Sequence, residues 1–257
     1  MNRISVIKKI RKKLKNGKVS IGSWIQIPHA SIAEIFGNSG YDWVAIDLEH
    51  GSISTHQLPD LFRALESSGT LPLVRLSEGS ELNCKLGLDA GAGGVIVPMI
   101  ENASQLKKIV EYCTWPPKGQ RGVGFSRANL FGKNFEQYKE MAQAPIIVAQ
   151  IENIRAVDNL EKILQVSGLD SILIGPYDLS ASMGLTGLFE EPEYKRTLSK
   201  IKNLCKTFKI PYGIHIVKPN HIELKDKIAE GYQFIAYSID SVFLYLSAEC
   251  PNFQNEI

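Results

Sequence analysis

Eight short apolar, β-branched runs recur along the whole chain, and this recurrence narrows the fold further than any other feature. They are "IGSWIQI" around Ile21, "WVAID" around Trp43, "LPLVR" around Leu73 and "GGVIVPM" around Val95, then "PIIVAQIE" around Ile147, "SILIG" around Ile172, "YGIHIV" around Ile214 and "FIAYSID" around Ile235. Each is continuous rather than alternating, as expected of strands covered on both faces. Helical patterns lie between most of them, over Ser31–Phe36, Gln57–Glu66, Ala103–Tyr112, Ala156–Val166 and Glu193–Phe208. Strand and helix alternate about every 25 to 30 residues, the βαβ rhythm of a parallel sheet. Eight such units in 257 residues predict a closed (β/α)8 TIM barrel rather than an open doubly wound sheet. No linker-like composition interrupts the series, so residues 1–257 are expected to form one domain.

Composition mainly excludes. A net charge of +2 gives no case for a nucleic-acid partner. The densest basic run, "KKIRKKLKNGK" from Lys8 to Lys18, could be an anion-binding patch. Val6, Ile10 and Leu14 recur at helical spacing within it, which favours the solvated face of an entry helix. No stretch approaches the roughly 20 apolar residues of a membrane span, and no leader-like run is evident. Cys84, Cys113, Cys205 and Cys250 include no C-x-x-C pair. That spacing argues against zinc and against a disulfide scaffold, and suits a cytoplasmic protein.

A barrel of this kind carries its chemistry at the carboxyl ends of its strands. Those ends supply Asp47, Glu49 and His50 in "DLEHG", Arg75 in "LPLVR", Gln150 and Glu152 in "AQIE", Asp178 in "GPYD", His215 in "YGIHIV" and Asp240. Glu152 and Asp178 are one βα unit apart and so stand at neighbouring strand ends, about 5 Å apart in the sheet direction. Two carboxylates that close need a shared proton or a cation between them, and a hard divalent ion suits the gap. The alternative is that each merely caps the helix that follows. Arg75 could pair with Asp47 or Glu49, or its planar fork could stabilise an oxyanion. His50 is either an ordinary structural histidine or a general base. Gly175 permits close backbone approach to a ligand, and the helix start beside it could hold a carboxylate. "RGVGFSRA" lacks the lysine and spacing of a nucleotide-binding loop. The long irregular stretch Trp115–Gly132 that contains it is expected to be functional. No strand end supplies a clean Schiff-base lysine, Lys218 being the nearest.

The segments "GSWIQIPHASIAEIFGNSGYDWVAIDLEHG", "PLVR", "LDAGAGGVIVPMIENASQ", "WPPKGQRGVGFSRA", "VAQIEN" and "GLDSILIGPYDLSASMG" together resemble the metal-dependent class II pyruvate aldolases of the HpcH/HpaI aldolase/citrate lyase family. The likeness is strongest from about Gly22 to Gly187 and weaker onward to Asp240. It implies Glu152 and Asp178 as ligands of Mg²⁺ or Mn²⁺, with Co²⁺ or Zn²⁺ as further candidates. It implies His50 as the proton-transferring base and Arg75 as the stabiliser of an enolate. Gln150 and the backbone at Tyr177 and Asp178 would hold the pyruvyl group. The substrates implied are pyruvate, an aldehyde and a 4-hydroxy-2-oxo acid. An aspartate that raises the basicity of the histidine falls on Asp89, together with a homo-oligomer, a hexamer in the family. Asp89 ends a helix on the far side of its own barrel, so it is expected to reach His50 of a neighbouring subunit. His215 stands where the family tends to be apolar and is expected to act as a polar donor near a hydroxylated or charged aldehyde. The chain also departs from the family in ending soon after Asp240, with "PNFQNEI". Two rivals keep the fold, a citrate-lyase-like thioester lyase and a catalytically silent metabolite-binding barrel.

Overall fold

The structure, a computed structural model, describes residues 1–249. Cys250 and the terminal "PNFQNEI" lie outside the described residues. Eight parallel strands close in sequence order into a barrel. They are β1 (Ser20–Ile25), β2 (Trp43–Asp47), β3 (Leu71–Arg75), β4 (Gly94–Val97), β5 (Ile146–Ile151), β6 (Ser171–Ile174), β7 (Tyr212–Ile216) and β8 (Phe234–Ile239). Every one coincides with an apolar run of the sequence. The helical pattern over Ala156–Val166 is broken into Ile154–Asp158 and Leu160–Leu164, with Asn159 between them.

Alternation, hidden in continuous runs, sorts the strand side chains. Trp43 and Ala45 point into the barrel, as do Leu71 and Leu73, Ile146 and Val148, and Phe234 and Ala236. Val44, Ile46, Val74, Ile147 and Ala149 face the surrounding helices. The period of two has a consequence at the carboxyl ends. The next inward positions are Asp47, Arg75 and Gln150, and Glu152 follows with the same parity. An apolar interior thus ends in a ring of polar side chains.

The other end of the barrel is closed by the helix Arg3–Lys15, whose Ile7, Ile10 and Leu14 join the interior cluster with Trp24 and Trp43. Trp43 stacks on Phe234 with ring centroids 4.3 Å apart. Gly22 makes room for it, since a Cβ there would lie 2.1 Å from the Trp43 ring. The basic run is therefore only partly a solvated face. Arg11 makes a bidentate pair with Asp170 and donates to the Ala144 and Pro145 carbonyls. Lys13 pairs with Asp42, and Arg3 with Glu66. Lys9, Lys12 and Lys15 stay in water. Cys84, Cys113 and Cys205 are buried free thiols. The fold brings Cys84 and Cys113 together, and burial followed by this contact pushes the Cys113 thiol well up.

The stretch Trp115–Gly132 follows the helix Ala103–Cys113 and packs Trp115 and Ala128 against the same interior cluster as Ile7 and Ile10. It packs at the closed end of the barrel and not at the ring of polar strand ends. Loop length alone does not tell which end of a barrel a connection serves.

Candidate active site

Asp47 and Arg75 are paired residues in the β2–β3 register and share the inward face, so their side chains meet. The guanidinium grips the carboxylate with two bonds, Nε to Oδ1 at 2.8 Å and Nη2 to Oδ2 at 2.6 Å. Its third nitrogen lies 3.0 Å from Glu49 Oε2. Its plane rests 4.6 Å above the Trp24 ring, where the face of the indole favours a cation. Asp47 also accepts from Gln26 Nε2 at 2.8 Å and from the backbone N–H groups of Glu49 at 3.0 Å and His50 at 3.3 Å. Burial pushes the Asp47 carboxyl up, but the bonds and charge of Arg75, helped by Gln26 and His50 N–H, hold it below the usual range. Fully enclosed, Asp47 positions Arg75 and the turn that carries Glu49 and His50.

Glu152 is buried at the end of β5. Met99 donates its backbone N–H to Oε1 at 2.7 Å, from a left-handed backbone with φ of 53°. The Gln150 amide donates to Oε2. Glu152 does not cap the next helix, because Asn153 does so. Gly175 is needed beside it: a Cβ there would stand 2.7 Å from Glu152 Oε2. Asp178 stands exposed in the first turn of the helix Pro176–Ser182, whose cap position is Gly175, so neither carboxylate is a cap. Burial, with Asp178 nearby, pushes the Glu152 carboxyl up against the Met99 and Gln150 bonds. Glu49 is lifted by burial to about 7 although Arg75 opposes it, with Glu152, Asp47 and Asp178 adding repulsion.

These groups surround a cavity of about 200 Å³ whose wall includes His50, Arg75, Gln150, Gly175, Tyr177, Asp178 and His215. Asp47 and Glu152 do not line it but are bonded to two of its wall residues, Arg75 and Gln150. Asp89 is not among them. It ends the helix Glu81–Asp89 at the closed side of the barrel, where burial raises its carboxyl while Arg121 and Lys85 oppose. Two contributors escaped the sequence reading. Gln26 bridges Asp47 and the Ser241 hydroxyl, and its parity with Gly22 and Trp24 would have exposed it. Met99 acts through backbone geometry, for which its side chain gives no signal.

Three carboxylates, Asp47, Glu49 and Glu152, thus crowd one guanidinium, and Asp178 adds a fourth acidic group beside Glu49 and Glu152. The donors are hard oxygens, and the Gln150 Oε1 atom is buried without a protein partner. Among the described residues no three or more His, Cys, Asp or Glu side chains form a ready metal cage. The protein's share of an ion would therefore be the two carboxylates Glu152 and Asp178, leaving other positions to water and substrate. This donor set fits a hard divalent cation at a catalytic site.

Residues 20–245 match the HpcH/HpaI aldolase/citrate lyase family. The chain belongs to that family. It is 36% identical over 238 residues to the hydroxypyruvate/pyruvate aldolase of Roseobacter denitrificans, covering 91% of each protein. It is 34% identical over 240 residues to the 2-keto-3-deoxy-L-rhamnonate aldolase of Escherichia coli, covering 93% of this chain and 89% of that one. A solved family member from Burkholderia cenocepacia superposes with a TM-score of 0.87 at 28% identity, over 93% of this chain and 95% of its own. The protein is thus an enzyme of an aldolase family, with the barrel that family builds. No helix of the described residues is long and apolar enough to cross a membrane.

Proposed function

We propose that the protein is a divalent-metal-dependent aldolase that reversibly joins pyruvate, or a close 2-oxo acid, to an aldehyde, giving a 4-hydroxy-2-oxo acid. The observation that carries this reading is a small cavity at the strand ends lined by His50, Arg75 and Asp178, with Asp47, Glu49 and Glu152 gathered about that fixed guanidinium. Bound between Glu152 and Asp178, Mg²⁺ or Mn²⁺ would supply Lewis acidity toward the keto acid. Arg75, held by Asp47, aims an oriented positive charge at the enolate oxygen. His50 on the cavity wall removes a methyl proton from the donor and returns one in the reverse direction. Gln150 and the backbone N–H groups of Tyr177 and Asp178 orient the pyruvyl group. Trp24 and the apolar floor keep water away from the nucleophilic carbon.

Asp89 enters this scheme from a second copy of the chain. Its side of the barrel exposes Val123, Phe125, Leu130 and Phe131, apolar side chains that favour association. We read the whole chain as one catalytic domain acting in the cytoplasm as a homo-oligomer.

The test is exchange of the pyruvate methyl protons in D₂O, followed by NMR with Mg²⁺, with Mn²⁺ and with EDTA. Metal-dependent exchange is expected, abolished in Glu152→Ala and His50→Ala. Asp89→Asn is expected to shift its pH profile through the proton affinity of His50. Exchange that survives EDTA would point to an imine at a lysine. Its absence under every condition would leave the silent barrel or a different donor.

A further inference from the structure

The strand register lays a row of polar side chains across the mouth of the barrel. Asp47 of β2 pairs with Arg75 of β3, and Ile25 of β1 pairs with Ile46 of β2. The next residues along β1 and β2, Gln26 and Asp47, therefore come side by side. Gln26 Nε2 donates to Asp47 Oδ2 at 2.8 Å, and the Ser241 hydroxyl donates to Gln26 Oε1 at 3.1 Å. The backbone of Gln26 is held as well. Asp240 accepts the N–H groups of Gln26 and Ile27, both at 2.9 Å. Asp240 and Ser241 open the helix Asp240–Ser247 that follows β8. A chain of bonds thus runs from that helix through Gln26 and Asp47 to the guanidinium of Arg75.

The two bonds of the Gln26 amide have one sense. Turned over, the amide would set its oxygen against the Asp47 carboxylate, so Asp47 and the Ser241 hydroxyl together fix its orientation. Its hold on Asp47 is specific too. Oδ1 accepts three bonds, from Arg75 Nε and the N–H groups of Glu49 and His50. Oδ2 accepts two, from Arg75 Nη2 and Gln26. A carboxylate turns easily about its last torsion unless both oxygens are held. Gln26 holds Oδ2 independently of Arg75, and so sets the plane in which the fork of the guanidinium must lie. Asp47 is fully enclosed, so water does not stand in for that bond. Gln26 and Arg75 both reach the cavity wall, whereas Asp240 and Ser241 do not.

We infer that Gln26 is a positioning residue that aims the Arg75 guanidinium at the substrate through Asp47 and is itself held by Asp240 and Ser241. The inference rests on the aldolase reading above and adds a residue to its machinery. Arg75 meets charge that develops on the enolate oxygen, so a misaimed guanidinium costs the transition state more than the bound keto acid. Metal binding stands outside this relay. Among the described residues, Glu152 accepts from Met99 and Gln150 and not from Gln26.

The test uses the full chain and compares Gln26→Met, Gln26→Glu and Ser241→Ala with the wild type. In pyruvate methyl exchange with Mn²⁺, Gln26→Met is expected to lower kcat about tenfold, with KM changed less than about twofold. Mn²⁺ affinity, read by electron paramagnetic resonance, should stay at the wild-type value. Ser241 lies outside the cavity and is partly exposed, and Ser241→Ala should lower kcat in the same sense by about two- to fivefold. Gln26→Glu is the conservative rescue, because its carboxyl donates to Asp47 when protonated and repels it when ionised. Its kcat should approach the wild-type value in acid and fall away from it as the pH rises. The ratio to wild type cancels the titrations both proteins share, those of Asp47, Glu49, His50, Arg75, His215 and Asp240. An unchanged kcat in Gln26→Met or Ser241→Ala, a loss confined to KM, a parallel loss of Mn²⁺ affinity, or a Gln26→Glu ratio flat with pH would overturn the inference. If Gln26→Met does not fold, Ser241→Ala carries the same readouts. Failure of the wild type to exchange would refute the aldolase reading, and the Arg75 Nε–H resonance of ¹⁵N-labelled protein then decides the positioning separately. Gln26→Met and Ser241→Ala should each shift that resonance and speed its exchange with solvent, and an unmoved resonance refutes the proposal.

Discussion

Asp47→Asn is the substitution in which fold and chemistry can be weighed together. The carboxylate is fully enclosed and accepts five hydrogen bonds, two from Arg75, one from Gln26 and two from the backbone of Glu49 and His50. An asparagine of the same shape can accept on one side only and turns an amide N–H toward a donor. It also strands the Arg75 guanidinium, itself 7% exposed, with Glu49 as its remaining counter-charge. Removing one partner of a buried pair typically costs about 3–5 kcal/mol. Urea unfolding followed by tryptophan fluorescence measures this, with Trp24 directly beneath the guanidinium as reporter. A loss below about 1 kcal/mol, the worth of an exposed ion pair, would refute the reasoning. The double variant Asp47→Leu/Arg75→Met should lose less than Asp47→Asn, because no buried charge is left alone. The acid limb carries a second signature. The Asp47 carboxyl is held below its ordinary range, so the unfolded chain binds more protons in acid. That stability is fully present above the unfolded pKa of about 3.9 and disappears as the pH falls below it, and Asp47→Asn should lack this limb.

Gly175→Ala is expected to leave the backbone at ease, since φ there is −92°, while driving a methyl group against Glu152. Mn²⁺ affinity, read by electron paramagnetic resonance, should drop at least about tenfold with little change in melting temperature; unchanged affinity would mean that Glu152 is not a ligand. His215 makes a prediction in mild acid. With a folded pKa of about 3 against about 6.5 unfolded, the native state refuses a proton that the unfolded chain accepts. The contribution is intact above pH 6.5 and is lost as the pH falls toward 3, amounting to about 2 kcal/mol between pH 7 and pH 5. His215→Leu should flatten that slope in urea titrations at the two pH values, and parallel slopes would refute it.

What the residues reveal on their own is governed by local periodicity. The strands were legible because each is short, apolar and bounded, and the carboxyl-end residues followed from the topology that this rhythm implies. Asp47 and Arg75 were visible as candidates, but their division of labour was not, because it depends on which side chain is enclosed. Likewise Arg11 and Lys13 belong to a run that looks solvated until Asp170 and Asp42 arrive from distant segments. The loop Trp115–Gly132 has a suggestive composition but no property that fixes the end of the barrel it serves. Ser238 is the clearest gap. A serine held at φ of 57° where the β1–β8 register slips between Gly22 and Trp24 leaves no mark in the sequence.

The helix Arg3–Lys15 governs more than stability. With Ile7, Ile10 and Leu14 seated under Trp24, Trp43 and Phe234, the barrel has a solid floor and a single mouth. The site is a blind well. A molecule lodged against Arg75 and Gln150 can leave only by the way it came, and a later arrival sits above it and bars the exit. On the proposed reaction, traffic is therefore ordered by architecture, first in and last out: the keto acid at the bottom would stay until the aldehyde over it had departed.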